Sequence, residues 1–196
     1  MSRTERAFNV LLGLSVLSWA FLGLLHSLAV PQLVIAVLNA VVGVLLLLRS
    51  PLVQSGSVKA LLLSLPSVAV AGCALKLSAP LEAWPWLAQA IFVIGGALTV
   101  ASFLVLGRSF AILPALRSIT TRGPYRVVRH PAYVGELVMV VACVVAGPSW
   151  ATLAALAAAV PLVVLRIHVE ERTLRDDERY EEYTRATRYR LMPGLW

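Results

Sequence analysis

Charge is scarce in the front half of this 196-residue sequence: only seven Asp, Glu, Lys or Arg residues precede Arg108, and none lies between Arg6 and Arg49. Charged residues make up 14% of the whole and hydrophobic residues 59%, whereas soluble domains carry roughly a quarter charged residues. That excludes an ordinary soluble domain and a disordered chain. Lysine is nearly missing, two residues against fifteen arginines, a usage that points to a GC-rich prokaryote. The two cysteines, Cys73 and Cys143, lie apart in apolar runs, which excludes a disulfide scaffold and reads as inert thiols. Three isolated histidines, at 26, 130 and 168, have no ligand spacing, so no metal is expected. There is no Ser-His-Asp order, Gly-rich phosphate loop or HExxH. With a mean hydropathy of +0.83, the chain reads as an all-α integral membrane protein.

The net charge of +7 is local. Five arginines and no acid fall between Arg108 and His130, while seven arginines meet seven acids from Arg166 onward. A basic cluster beside membrane helices fits membrane lipid or an anionic ligand, and no nucleic acid.

The 42 uncharged residues after Arg6 would make a helix of about 63 Å, twice a hydrocarbon core, so they must cross twice. Helices are expected at 8–30 and 32–48, turning at Pro31-Gln32, then at 58–79 and 86–106. A helical hairpin at 132–147 and 150–168 follows, joined at Gly147-Pro148-Ser149. Six crossings result, or five with a re-entrant hairpin, and six put both termini on one side. Arg3, Arg6, Arg49, Lys59, the cluster from Arg108 and the tail all share that side, which places the termini and the cluster in the cytoplasm. The first helix is too long for a cleaved secretory signal. Residues 1–106 form a four-helix transmembrane part and 107–196 a catalytic part of one structural domain. Beyond 174, Tyr180, Tyr183, Tyr189, Leu191, Met192 and Trp196 alternate with charges, as in a cytoplasmic amphipathic helix or lid over the loop at 117–133.

The unusual residues lie between 107 and 190. Gly123-Pro124 is turn chemistry, and Pro131 suits a first helical turn. The amides of that helix start favour an anionic or polar ligand, with Tyr125, His130 and Tyr133 beside it. A basic loop gripping lipid headgroups is the competing reading. Arg166 and Glu170 are four apart on one helix face at the end of the last crossing, a place where ionisable groups carry function.

Together, Gly123-Pro124-Tyr125, Arg129-His130-Pro131-Ala132-Tyr133 and Arg166 with Glu170-Glu171 resemble the isoprenylcysteine carboxyl methyltransferase family. The likeness extends through Glu182-Tyr183 to Arg190 before Pro193, covering about 106–193. Eukaryotic members usually have His where Arg117 stands. The resemblance implies S-adenosyl-L-methionine as methyl donor, held by Arg117, Ser118, Ile119, Thr120, Tyr125, His130, Pro131, Ala132, Tyr133 and Glu170. It implies that Arg166 orients the carboxylate of a lipophilic or membrane-borne methyl acceptor. An acceptor of this kind is already ionised, so positioning carries the catalysis. An amine or thiol acceptor would need a base, for which His168 or Glu171 is the candidate. Two other classes stay open: an NADPH-dependent membrane sterol or enone reductase, whose 2′-phosphate the arginines would meet, and a non-catalytic lipid-binding protein.

Overall fold

Each apolar run folds as a helix, since a chain in hydrocarbon must pair its own amides and carbonyls. The computed structural model describes residues 3–48, 58–107, 120–175, 177–194 and 196, with side chains from Arg6 in the first helix and Leu65 in the third. The order is α1 (Arg3–His26), α2 (Val30–Leu47), α3 (Val58–Leu77), α4 (Trp86–Leu106), α5 (Pro131–Ala146), α6 (Trp150–Leu174) and α7 (Glu178–Ala186). Short 3-10 turns lie at Leu81–Ala83 and Gly123–Arg126, and no strand occurs among the described residues.

Four helices are long and apolar enough to cross a membrane: α1 from Arg6, α2, α4 and α6. The described side-chain part of α3, Leu65–Leu77, and α5 are apolar but shorter. At 16 residues α5 spans about 24 Å.

Two boundaries differ from the sequence expectation. The first turn falls at 27–29, and Pro31 lies inside the first turn of α2, where its missing amide would have no helical partner anyway. The last long helix runs to Leu174 instead of 168. Arg and Glu are good helix formers, and Glu171 there is buried in an ion-pair cluster, so the helix continues past its last apolar turn.

Helix α2 packs on α1 and α4, α4 on α5, and α3 on α5 and α6. Small residues let the backbones approach. A methyl added at Gly95 would lie 2.7 Å from the Gly135 carbonyl oxygen, so α4 and α5 touch backbone to backbone. Ala88, Phe92, Val140, Cys143, Ala155 and Ala159 fill the core around this contact. Trp84 closes one end of it, edge-on to Phe92 at 5.3 Å, with its indole N–H donating to the Ala79 carbonyl. Ser149 caps α6 by accepting from the Thr152 amide, fixing the hairpin. Outward, Trp19, Leu25, Trp86 and Trp150 are exposed, the apolar exterior expected of a bundle in lipid. Cys143 is buried, Cys73 faces outward, and both are free thiols.

The C-terminal segment folds back over the start of α5. The amides of Arg129 and His130 donate to the carbonyls of Tyr189 and Arg190, both at 2.9 Å. The Tyr183 hydroxyl donates to the Tyr125 carbonyl at 2.8 Å.

Candidate active site

Gly123, at φ +57°, takes the left-handed conformation that starts the turn into Tyr125. The turn buries the Tyr125 ring against Tyr180 and Tyr183 of α7. Burial, reinforced by the Glu170 charge, raises the Tyr125 hydroxyl far above its ordinary value, so it is a neutral donor. His130 then caps α5, with Pro131 in the first turn. Helical spacing places Ala132, Tyr133, Glu136 and Met139 along one side of α5, and all four line a single cavity.

That cavity measures about 390 Å³. At its polar end stand Tyr125, Arg129, His130, Tyr133, Arg166 and Glu170. Its other wall is apolar, with Leu38 and Val42 from α2, Val68 and Ala71 from α3, and Phe103 and Leu106 from α4.

The polar end has two levels. In the first, the Tyr133 hydroxyl donates to Glu170 Oε2 at 2.6 Å, and His130 Nδ1 lies 3.9 Å from the same oxygen. The His130 and Tyr133 rings stack at 5.6 Å with 12° between planes. One turn further into the bundle, Arg166 Nη1 donates to Ser67 Oγ at 3.2 Å and lies 3.8 Å from Glu136 Oε2. The Arg166 guanidinium also sits over the Tyr133 ring, 4.8 Å from its centroid, which ties the levels together.

Behind the cavity Glu171 organises the support. It is buried and meets Arg129 Nη1 at 3.0 Å, Arg190 Nη2 at 2.9 Å and His130 Nε2 at 3.3 Å. Two guanidinium groups and an imidazole are thereby fixed on one carboxylate, which locks the His130 ring that the cavity uses. A second space of about 440 Å³ lies on the outer side of this cluster, between Arg175, Tyr180 and Arg185. Of the residues that the sequence marks for chemistry, it is lined by Glu171 alone, the suggested base.

Of the residues that the sequence marks, Tyr125, His130, Ala132, Tyr133, Arg166 and Glu170 meet in the one cavity. Pro131 is buried in the helix start, and Thr120 is half-buried outside the cavity lining. Arg117, Ser118 and Ile119 lie outside the described residues. Neither suggested base reaches the cavity: Glu171 is committed to its cations, and His168 is exposed, its Nδ1 2.8 Å from the Val164 carbonyl. Sequence reasoning passed over Glu136, whose signal was available: it is the one acid between Glu82 and Glu170, alone in an apolar run.

A carboxylate, a stacked aromatic pair and a guanidinium beside an apolar wall can hold a small zwitterionic cofactor next to an amphiphile. No curated protein matches the chain. A family model described as phospholipid methyltransferase matches residues 84–181, which run from the core tryptophan through the whole polar end into α7. The match takes in half of the sequence and every described residue of the two levels except Ser67 of α3, so the chain belongs to the phospholipid methyltransferase family of membrane methyltransferases, the family that includes the isoprenylcysteine carboxyl methyltransferases.

Proposed function

We propose that the protein is an S-adenosyl-L-methionine-dependent methyltransferase that esterifies the carboxylate of a lipophilic acceptor at the cytoplasmic membrane interface. One observation carries the reading: a single cavity joins the Tyr133–Glu170 pair to an apolar wall drawn from α2, α3 and α4. The donor set fits the methyl donor, which has an ammonium, a sulfonium, a carboxylate and an adenine. It supplies, when bound, a methyl group on positively charged sulfur.

The remaining work falls to the chain. Glu170, its oxygen fixed by the Tyr133 hydroxyl, holds the ammonium. The parallel His130 and Tyr133 rings offer flat walls, and the neutral Tyr125 hydroxyl offers a donor. Arg166 presents paired N–H groups, suited to fix a carboxylate in direction as well as place. The acceptor is ionised already, so no side chain need remove a proton, and rate comes from alignment in a site that excludes water.

The bundle supports the same division of labour. Residues 1–106 supply the apolar wall and 107–196 the polar end. In this reading α3 and α5 also cross, giving six crossings with both termini and the site in the cytoplasm of a prokaryote. Acceptors enter from the bilayer and the donor from water.

Titration calorimetry on detergent-purified protein tests the assignment, with S-adenosylmethionine, S-adenosylhomocysteine and NADPH as ligands. Both S-adenosyl ligands bind the unaltered chain, and Glu170→Ala weakens them at least tenfold. Binding of NADPH alone overturns the proposal in favour of a reductase.

A further inference from the structure

The space of about 440 Å³ on the outer side of the Glu171 cluster has no task in the reaction just proposed. Its walls come from separate parts of the chain: Arg129 ahead of α5, Arg175 after α6, Tyr180 and Arg185 on α7, and Arg190 in the C-terminal segment. Guanidinium groups brought together in this way repel one another unless anionic groups lie among them. Two carboxylates of the lining, Glu171 and Glu181, answer part of that need. Glu171 is already engaged by Arg129, Arg190 and His130, at 3.0, 2.9 and 3.3 Å. Glu181 meets Arg185 at 3.4 Å, in a pair whose side chains are both more than half exposed, so solvent screens it. The neighbouring Asp177 turns to Arg179 instead, at 2.8 Å.

Unspent donors, more than any sum of charges, mark the place. Tyr180 is only 4% exposed, yet its hydroxyl has no hydrogen-bond partner among the described residues. Arg129 Nε is buried in the same condition. Both side chains line this space. Folded proteins keep few buried donors unpaired, because each forfeits its bonds to water. Arg175 adds an exposed guanidinium with no carboxylate partner among the described residues. The donors thus face inward from several sides, which suits an acceptor whose oxygens point in several directions. A carboxylate has two oxygens in one plane, whereas a phosphate directs its oxygens to the corners of a tetrahedron and takes paired N–H groups from arginine.

We infer that this space is a second ligand site, which binds a phosphate group through Arg175, Arg185 and Arg190 with the Tyr180 hydroxyl as a further donor. It is a binding site alone, where no bond forms or breaks, and it stands apart from the methyl-transfer reading. An occupant ties the end of α6 to α7 and to the C-terminal segment, the parts that brace His130 from behind. Soluble phosphates and anionic phospholipid headgroups carry the same group. The space lies just past the end of α6, a helix long and apolar enough to cross a membrane, so both can reach it.

The full chain in detergent micelles tests this by calorimetry with inorganic phosphate, at constant ionic strength so that general screening does not change. Thermal midpoints are measured in the same micelles with added phosphatidylglycerol or phosphatidylcholine. Arg175→Gln and Arg185→Gln, both at exposed side chains, each weaken binding about fivefold. Tyr180→Phe removes only the hydroxyl and weakens it about threefold. Arg179→Gln removes the same charge from α7 at a residue outside the space, and leaves binding within about twofold. Saturation by inorganic phosphate without a response to lipid assigns the site to soluble phosphates. A midpoint raised by phosphatidylglycerol and not by phosphatidylcholine, and lost in Arg175→Gln and Arg185→Gln, assigns it to a lipid headgroup. No response to phosphate or to phosphatidylglycerol overturns the inference, as does a loss in Arg179→Gln as large as in Arg185→Gln. Phosphate binding abolished by saturating S-adenosylhomocysteine also overturns it, since the space is then a corner of the first cavity.

Discussion

Tyr133 shows how one side chain can serve several neighbours. Its hydroxyl fixes Glu170, its ring stacks on His130, and its face carries the Arg166 guanidinium. Tyr133→Phe keeps the ring and removes only the bond to a carboxylate, an interaction of about 1.5–3 kcal/mol. Affinity for S-adenosylhomocysteine falls about tenfold, read by calorimetry, and the thermal midpoint falls by a few degrees with the lost bond. The tyrosines outside the bilayer give a pH prediction. Burial raises the hydroxyls of Tyr125, Tyr180 and Tyr183, so the folded chain keeps protons there that the unfolded chain releases near pH 10. Their contribution to stability is complete below that value and is lost as pH climbs above it. An alkaline absorbance titration accordingly shows these phenolates appearing with unfolding and not before it.

At the scale of elements, the α4–α5 contact holds the two halves of the cavity together. Helix α4 carries Phe103 and Leu106 of the apolar wall, and α5 carries Tyr133 and Glu136. Gly95→Ala forces these backbones apart, because the new methyl meets both the Gly135 carbonyl and the Met139 side chain, at 2.7 and 2.9 Å. Overpacking of this kind destabilises by about 1–3 kcal/mol, seen as a lower thermal midpoint in detergent together with weaker binding of S-adenosyl ligands. Most helix positions were legible because uncharged runs in lipid have little choice but to be helical. The first turn was misplaced because Pro31 reads equally as a loop residue and as a first-turn residue. The motif residues were legible as a group through their family resemblance. The support behind them was not: Glu171 meets Arg129 and Arg190 across 42 and 19 positions of chain, and no local periodicity marks such a partnership. Glu136 was hidden differently. It joins Arg166 through the packing of α5 against α6, which a one-dimensional pattern does not contain.

For the whole molecule, the distribution of arginine makes a topological prediction. Single cysteines placed at Glu82 and Thr184, both off the membrane helices, in a chain with Cys73→Ala and Cys143→Ala, label from opposite sides. An impermeant maleimide reaches position 82 in intact cells and position 184 only in inverted vesicles. Labelling of both from one side contradicts six crossings.

The backbone bonds from Arg129 and His130 to Tyr189 and Arg190 join residues sixty positions apart. During translation the motif emerges first, and its partners leave the ribosome long after α5 has been made. A nascent chain can therefore insert its helices while the residues that brace His130 are still in the exit tunnel. The brace on His130 is complete only once residues 189 and 190 have emerged, so shorter nascent chains hold the motif without it.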